Sequence, residues 1–433
     1  MQKPALLPFG FLLAMNAFAS TDLEWTAPIR VAEGPAEIGP WRMNASDWDY
    51  VDDATVALGE NGVHSLAWVD QGGKDVFFRR YGPDGEPLGE GAANVSRSPE
   101  VFSWMPRVTV DREDSGTVHV LWQEILFTGG SHGGDILYAR SADGGMTFGE
   151  PLNLSERSEA GDGKGRLTRK RWSNGSLALA QAADGSLLAA WTNFEGGLRV
   201  KRSTDAGRTF REAFSLEVDG GKKPARAPAL AAGPDGRVHL FWTTGEDPRA
   251  DLRTAVSEDH GATWGTPSTV LRTEGYSDAP DATVDAEGTL HLVWGERPGL
   301  YPGSGHVAYA RLLRGGDRWM GPVALANPDG FPGGGFPAIA HAGENRLVVL
   351  WELFPPGARR ATALAQATAL DDDGFDPAKV LPGSALERAF HGSLQGSLGE
   401  KLDAADGRIA AITSVFAPRK DSRVRLWTGR FAE

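Results

Sequence analysis

Three glutamates, Glu124, Glu296 and Glu352, stand one or two residues after a tryptophan in a 433-residue chain whose tryptophans recur at intervals. Asp49, Asp52 and Asp278 fall in the connections between one recurrence and the next. Two carboxyls facing one another can cleave a glycosidic bond, one as acid and the other as base or nucleophile. Arginines accompany them at Arg107, Arg171, Arg226 and Arg297, and large aromatics at Trp104 and Trp172. A guanidinium forks a carboxylate through parallel hydrogen bonds, and an aromatic face can stack on a sugar ring. The connection before Trp172 adds Lys164, Arg166, Arg169 and Lys170 beside Arg171. Cations gathered beside aromatics in an acidic protein suit an anionic or sugar ligand. The plainer reading of that cluster is a solvated loop.

These residues hang on a repeated frame. Gly236-Arg-Val-His-Leu-Phe-Trp242 is a turn followed by a strand that ends on tryptophan. It recurs with its tryptophan at 68, 122, 191, 294 and 351, and a seventh copy carries Thr413 in that place. Self-similarity at this period means one small unit stacked many times. In the fifth copy four strand-like runs can be marked: a at Ala282–Asp285, b at Thr289–Trp294, c at His306–Arg311 and d at Gly321–Leu325. Four short antiparallel strands per unit are the signature of a propeller blade.

The termini settle the count. Glu24-Trp-Thr-Ala-Pro-Ile-Arg-Val31 matches strand d of a blade, and the last copy ends on a strand c, Arg423–Trp427, with no d after it. Pairing the two ends completes a seventh sheet and removes two exposed edges. The expected fold is therefore an all-β, seven-bladed propeller. A six-bladed ring with one copy set aside is the alternative. With a–b and c–d turns on one rim, the d–a and b–c connections share the other, and the candidate residues above all belong to that second rim. Loops on one rim of a repeat array commonly carry its binding surface.

A second motif follows strand c: Ser141-Ala-Asp-Gly-Gly-Met-Thr-Phe148, Ser203-Thr-Asp-Ala-Gly-Arg-Thr-Phe210 and Ser257-Glu-Asp-His-Gly-Ala-Thr-Trp264. A degenerate copy is Gly315-Gly-Asp-Arg-Trp319. It resembles the Asp box (BNR repeat) of the sialidase-like propeller superfamily, over nearly all the chain after residue 19. In that superfamily the turn lies away from the ligand mouth, so its residues are expected to be structural. The resemblance implies an arginine triad on a substrate carboxylate, an aspartic acid donor and a tyrosine–glutamate nucleophilic pair. Arg107, Arg171, Arg226 and Arg297 can supply the arginines, Asp49, Asp52 or Asp278 the acid, and Tyr276 with Glu124, Glu296 or Glu352 the pair. The Arg-Ile-Pro signature of sialidases is missing, which counts against that activity.

Other chemistries find less support. Net charge is −13, with no basic stripe to neutralise phosphates, so a nucleic-acid partner is not expected. Cys 0 excludes thiol catalysis and disulfides. His119, His239 and His291 each stand three before a blade tryptophan, so the repeat explains them, and no metal-ligand spacing appears. Asp371–Asp376 reads as a decayed Asp box rather than a calcium loop. No cofactor motif is present. Residues 1–19 read as a secretory leader, with Lys3, an apolar core at Ala5–Ala14 and Ala17-Phe-Ala19 before the cut, and 20–433 as one propeller domain. No later run reaches the ~20 apolar residues of a membrane span. The leading expectation is an exported propeller that binds a glycan or another anionic ligand at its central mouth. A glycoside hydrolase using the rim carboxylates comes second, and a scaffold for an extracytoplasmic protein partner third.

Overall fold

The computed structural model describes residues 22–432 apart from 41, 43, 60, 113, 115, 125–134, 156–175, 193–196, 217–224, 246–250, 274, 300–301, 371–373 and 393–399. The chain forms seven antiparallel sheets around one axis. The inner strands a of blades 1 to 7 are Val51–Leu58, Ser103–Val110, Leu177–Gln181, Ala225–Ala232, Tyr276–Val284, Gly333–His341 and Leu402–Ala405. Strands b, c and d follow outward in each of the first six blades. Neighbouring blades cover both faces of a sheet. Strand b of blade 6, Arg346–Phe354, is accordingly buried along its whole length and reads as an almost unbroken apolar run. Among the described residues no helix is long and apolar enough to cross a membrane.

The seventh sheet is built from both ends. Leu23–Trp25 and Ile29–Gly34 pair with the last strand, Asp421–Phe431, with Leu23 opposite Phe431 and Ile29 opposite Leu426. Arg408–Ala417 lies inside that strand, and Leu402–Ala405 forms the inner edge. Trp25 and Trp427 share this one sheet and its core. Seven blades, with the N-terminal strand in the last, is what the arrangement of the termini predicts.

The three Ser-x-Asp-x-Gly-x-Thr turns have one hydrogen-bond plan. In each, the serine hydroxyl bonds the aspartate at 2.7–2.8 Å and accepts from the glycine N–H at 2.8–2.9 Å. The threonine hydroxyl and N–H both donate to the aspartate. Thr263's amide and hydroxyl hold the Asp259 carboxyl at about 2. The glycine is required twice over: φ at Gly145 is +80°, and a Cβ there would fall 1.9 Å from the Phe78 ring. The aromatic that closes each turn packs onto the preceding blade, Phe148 on Phe78, Phe210 on Tyr138 and Trp264 on Phe214. Trp319 and Phe375 do the same from blades 5 and 6, and Trp25 donates to Gln366 from the closing sheet. These residues fasten blade to blade on the rim opposite the candidate site.

Strand a of blade 5 starts at Tyr276, six residues before the expected Ala282. The cause is a β-bulge that recurs in blades 1, 2, 4, 5 and 6. Asp53, Met105, Ala227, Ala279 and Phe336 occupy its left-handed position, with φ of +47° to +54°. Proline follows four of them, at Pro106, Pro228, Pro280 and Pro337. A proline interior to a strand removes a ladder donor, which a bulge accommodates. The strand carries on beyond the bulge to the mouth, so residues expected in loops are ladder residues.

Candidate functional site

The bulge re-aims the residue before it. In blades 1, 2, 4, 5 and 6 that residue is Asp52, Trp104, Arg226, Asp278 and Gly335. Arg226 and Asp278 thus stand at the same position of adjacent blades, with a closest approach of 3.8 Å. Tyr276, two residues before Asp278, lies directly across the ladder from Arg297 at the end of strand b. The Arg297 guanidinium lies 4.5 Å from the Tyr276 ring centroid and donates to Asp278 Oδ2 at 2.9 Å. The Arg226 guanidinium lies 5.3 Å from the same centroid and donates to the Tyr276 hydroxyl. Thr243 Oγ1 donates to Asp278 Oδ1 at 3.4 Å.

Two cations therefore converge on one carboxylate and one phenol, from two blades. Tyr276 is buried, while the Arg226, Asp278 and Arg297 side chains keep 19%, 15% and 12% of their surface exposed, so the two arginines and the carboxylate share the access to the site. Burial and the charge of Asp278 push the Tyr276 phenol up, against the pull of both arginines. It stays protonated at neutral pH and can donate. The arrangement can hold a carboxylate through the arginines and offer a proton beside it.

The other carboxylates are engaged in the frame. Glu124 accepts from the Trp122 indole at 2.9 Å and from Ser98 at 2.7 Å. Burial pushes its carboxyl up. Glu296 accepts from the Trp294 indole at 3.0 Å and from Ser277 at 2.6 Å. The two glutamates, each two residues past a blade tryptophan, anchor its N–H. Glu352 is buried in an ion pair with Lys401, 3.1 Å away. Trp104 is buried with Phe102 and Met105 rather than offered to a ligand. Arg171 and Trp172 lie outside the described residues, as do Lys164, Arg166, Arg169 and Lys170.

Arg107 lies one step below the mouth. It is buried and donates to Leu177 O at 2.8 Å and to Pro106 O at 2.9 Å. With Asp281 and Glu400, from blades 5 and 7, it bounds a bore of about 440 Å3 ringed by the inner strands. Glu400 reaches from blade 7 to accept from Leu179 N of blade 3 at 3.4 Å, and its backbone carbonyl accepts from Val56 N of blade 1 at 3.0 Å. Desolvation holds the Glu400 carboxyl at about 8 and that of Asp281 at about 6, despite the attraction of Arg107. Asp53, Asp281 and Asp403 each accept an N–H from the next blade's inner strand, at Met105, Ile339 and Leu58. The tier belongs to ring closure. Sequence reasoning missed Asp281, Glu400, Lys401 and Thr243. The proline immediately before Arg107 and Asp281, at the same position of their blades, was the available signal for the first.

No protein-family model matches the chain, and no curated sequence does. Solved propellers match it along most of its length. An ulvan lyase of polysaccharide lyase family PL25, bound to -[GlcA(1-4)Rha3S]-, aligns with TM-score 0.57 at 12% identity, over 93% of this chain and 95% of that one. Polysaccharide lyase Uly1 aligns with TM-score 0.57 at 13% identity, over 94% and 100%. The NanB sialidase from Streptococcus pneumoniae aligns with TM-score 0.50 at 10% identity, over 81% and 71%. At these identities the likeness is one of fold, shared with propellers that act on carbohydrates.

Proposed function

We propose that this is an exported propeller that binds an acidic glycan at its central mouth, with a sugar carboxylate held by Arg226 and Arg297 beside Tyr276. The observation that carries the reading is the convergence on one phenol of two guanidiniums from adjacent blades, on side chains that stay partly exposed. Asp278 cancels part of their charge and fixes their orientation. The ulvan lyase of the same fold, bound to a glucuronate-containing ligand, supports it as analogy. The test is calorimetric titration with glucuronate-containing oligosaccharides. Arg226→Met and Arg297→Met should each weaken binding about 10- to 100-fold, the range for one charge-assisted hydrogen-bond pair. Equal binding by both variants would sink the reading.

A second reading, cleavage of that glycan, is favoured by the Tyr276 hydroxyl. A carboxylate neutralised by two guanidiniums acidifies the proton on the adjacent carbon. Elimination takes that proton to a base, forms a carbon–carbon double bond and expels the glycosidic oxygen, which a protonated phenol can protonate. Appearance of the ultraviolet absorbance of an unsaturated uronate, lost in Tyr276→Phe, would support it. Release of reducing ends without that absorbance would instead point to hydrolysis.

A further inference from the structure

The connection from the closing blade to blade 1 carries a small hairpin on the mouth rim, with Glu37 opposite Asp49 and Ile38 opposite Trp48. Between this hairpin and the b–c turn of the closing blade runs a groove of about 620 Å3. Its floor is apolar, with Phe416 below and Ile38 50% exposed. Arg419 and Lys420 stand at the tip of the turn, both exposed. Among the described residues neither side chain has a hydrogen-bond or ion-pair partner, whereas Arg423 on the following strand pairs with Glu33 and Asp421. Arg419 holds φ at +61°, a left-handed conformation that a residue with a Cβ adopts less readily than glycine. The turn thus holds an unpaired cation in a conformation that would favour glycine.

We infer that the ligand is a polymer lying across the mouth rather than one terminal sugar, and that this groove is its second subsite, with Arg419 and Lys420 on the chain's carboxylates. The inference rests on the carboxylate reading of Arg226 and Arg297. Those arginines sit at blades 4 and 5 and the groove at blades 7 and 1, three steps apart in a ring of seven and almost opposite. One sugar cannot touch both. A path between them passes half-buried Phe336 and then Phe390, whose ring carries the Arg360 guanidinium at 5.0 Å. Aromatic and arginine surfaces thus continue around blades 6 and 7. Glu37 and Asp47 on the facing wall of the groove are exposed acceptors for sugar hydroxyls.

The experiment uses glucuronate-containing oligosaccharides of graded length, titrated into the intact protein and into an Arg419→Ser/Lys420→Ser double variant, whose changes are confined to an exposed turn. Wild type should gain at least tenfold in affinity from the shortest oligomer to the longest. The double variant should bind the shortest one as wild type does and lose that gain. Affinity independent of length in wild type, or a gain retained by the double variant, overturns the second subsite while leaving the first intact. Failure of wild type to bind any length overturns the carboxylate reading itself.

Discussion

At the residue scale, the chemistry of the mouth rests on which carboxylates are spare. Glu124 and Glu296 are occupied by the indole N–H of their own blade and by a serine. Glu296→Ala would orphan the Trp294 and Ser277 donors, and the expected loss is about 1–3 kcal/mol in chemical denaturation. Glu296→Gln keeps an acceptor and should lie near wild type, with ligand affinity unchanged in both. Glu400 makes a different prediction. Its folded carboxyl is held at about 8, above the usual 4.5, so the folded state keeps a proton that the unfolded chain releases. The stabilisation is complete below about 4.5 and is lost as pH rises through about 8. Asp281 and Asp403, each at about 6, contribute with the same sign at lower pH. Between pH 6 and 8 the melting temperature of wild type should therefore fall. That of Glu400→Gln should fall less, and parallel curves would refute the role given to this carboxyl. Arg226, Tyr276, Asp278 and Arg297 were all legible as candidates because each stands beside a repeat boundary. That they belong together was not, since the bulge that aligns blade 4 with blade 5 leaves only an inconspicuous proline in the sequence.

At the scale of elements, the Ser-x-Asp-x-Gly-x-Thr turn and the bulge divide the work between the two rims. The turn saturates its own hydrogen bonds and sends an aromatic to the neighbouring blade. Removing the central carboxylate leaves a backbone N–H and two hydroxyls without their acceptor. Asp259→Ala should cost about 1–2 kcal/mol, as loss of a capping side chain does. A thermal melt checks the cost, and glycan affinity should not move because the turn lies on the opposite rim. The eight-residue motif could be read straight from the sequence because its function is local. The inner strand could not, because a run such as Tyr276-Ser-Asp-Ala-Pro280 has turn composition. Tertiary pairing with strand b overrides that composition and extends the ladder to the mouth.

At the scale of the whole molecule, the ring was legible because its evidence is arithmetic. Six tryptophans, a seventh copy without one, an orphan strand at the start and a missing strand at the end sum to seven closed sheets. Deleting the chain up to Gly34 removes both outer partners of Asp421–Phe431 and bares a long flat edge. Such a truncation should self-associate more than the full chain does in size-exclusion chromatography. A monomeric, fully stable truncation would show that closure contributes little.

The joining of Leu23 to Phe431 also bears on how the protein is made. During synthesis Leu23–Trp25 has no partner until Asp421–Phe431 has been translated, so the sheet stays unfinished however long the ribosome takes to reach it. The wait is cheap once the middle has formed. Stacking of the six interior sheets already brings the two tails together, and the final pairing then closes a short gap instead of a loop of some 400 residues. The most distant contact in the sequence is therefore among the least demanding to make, provided it comes last.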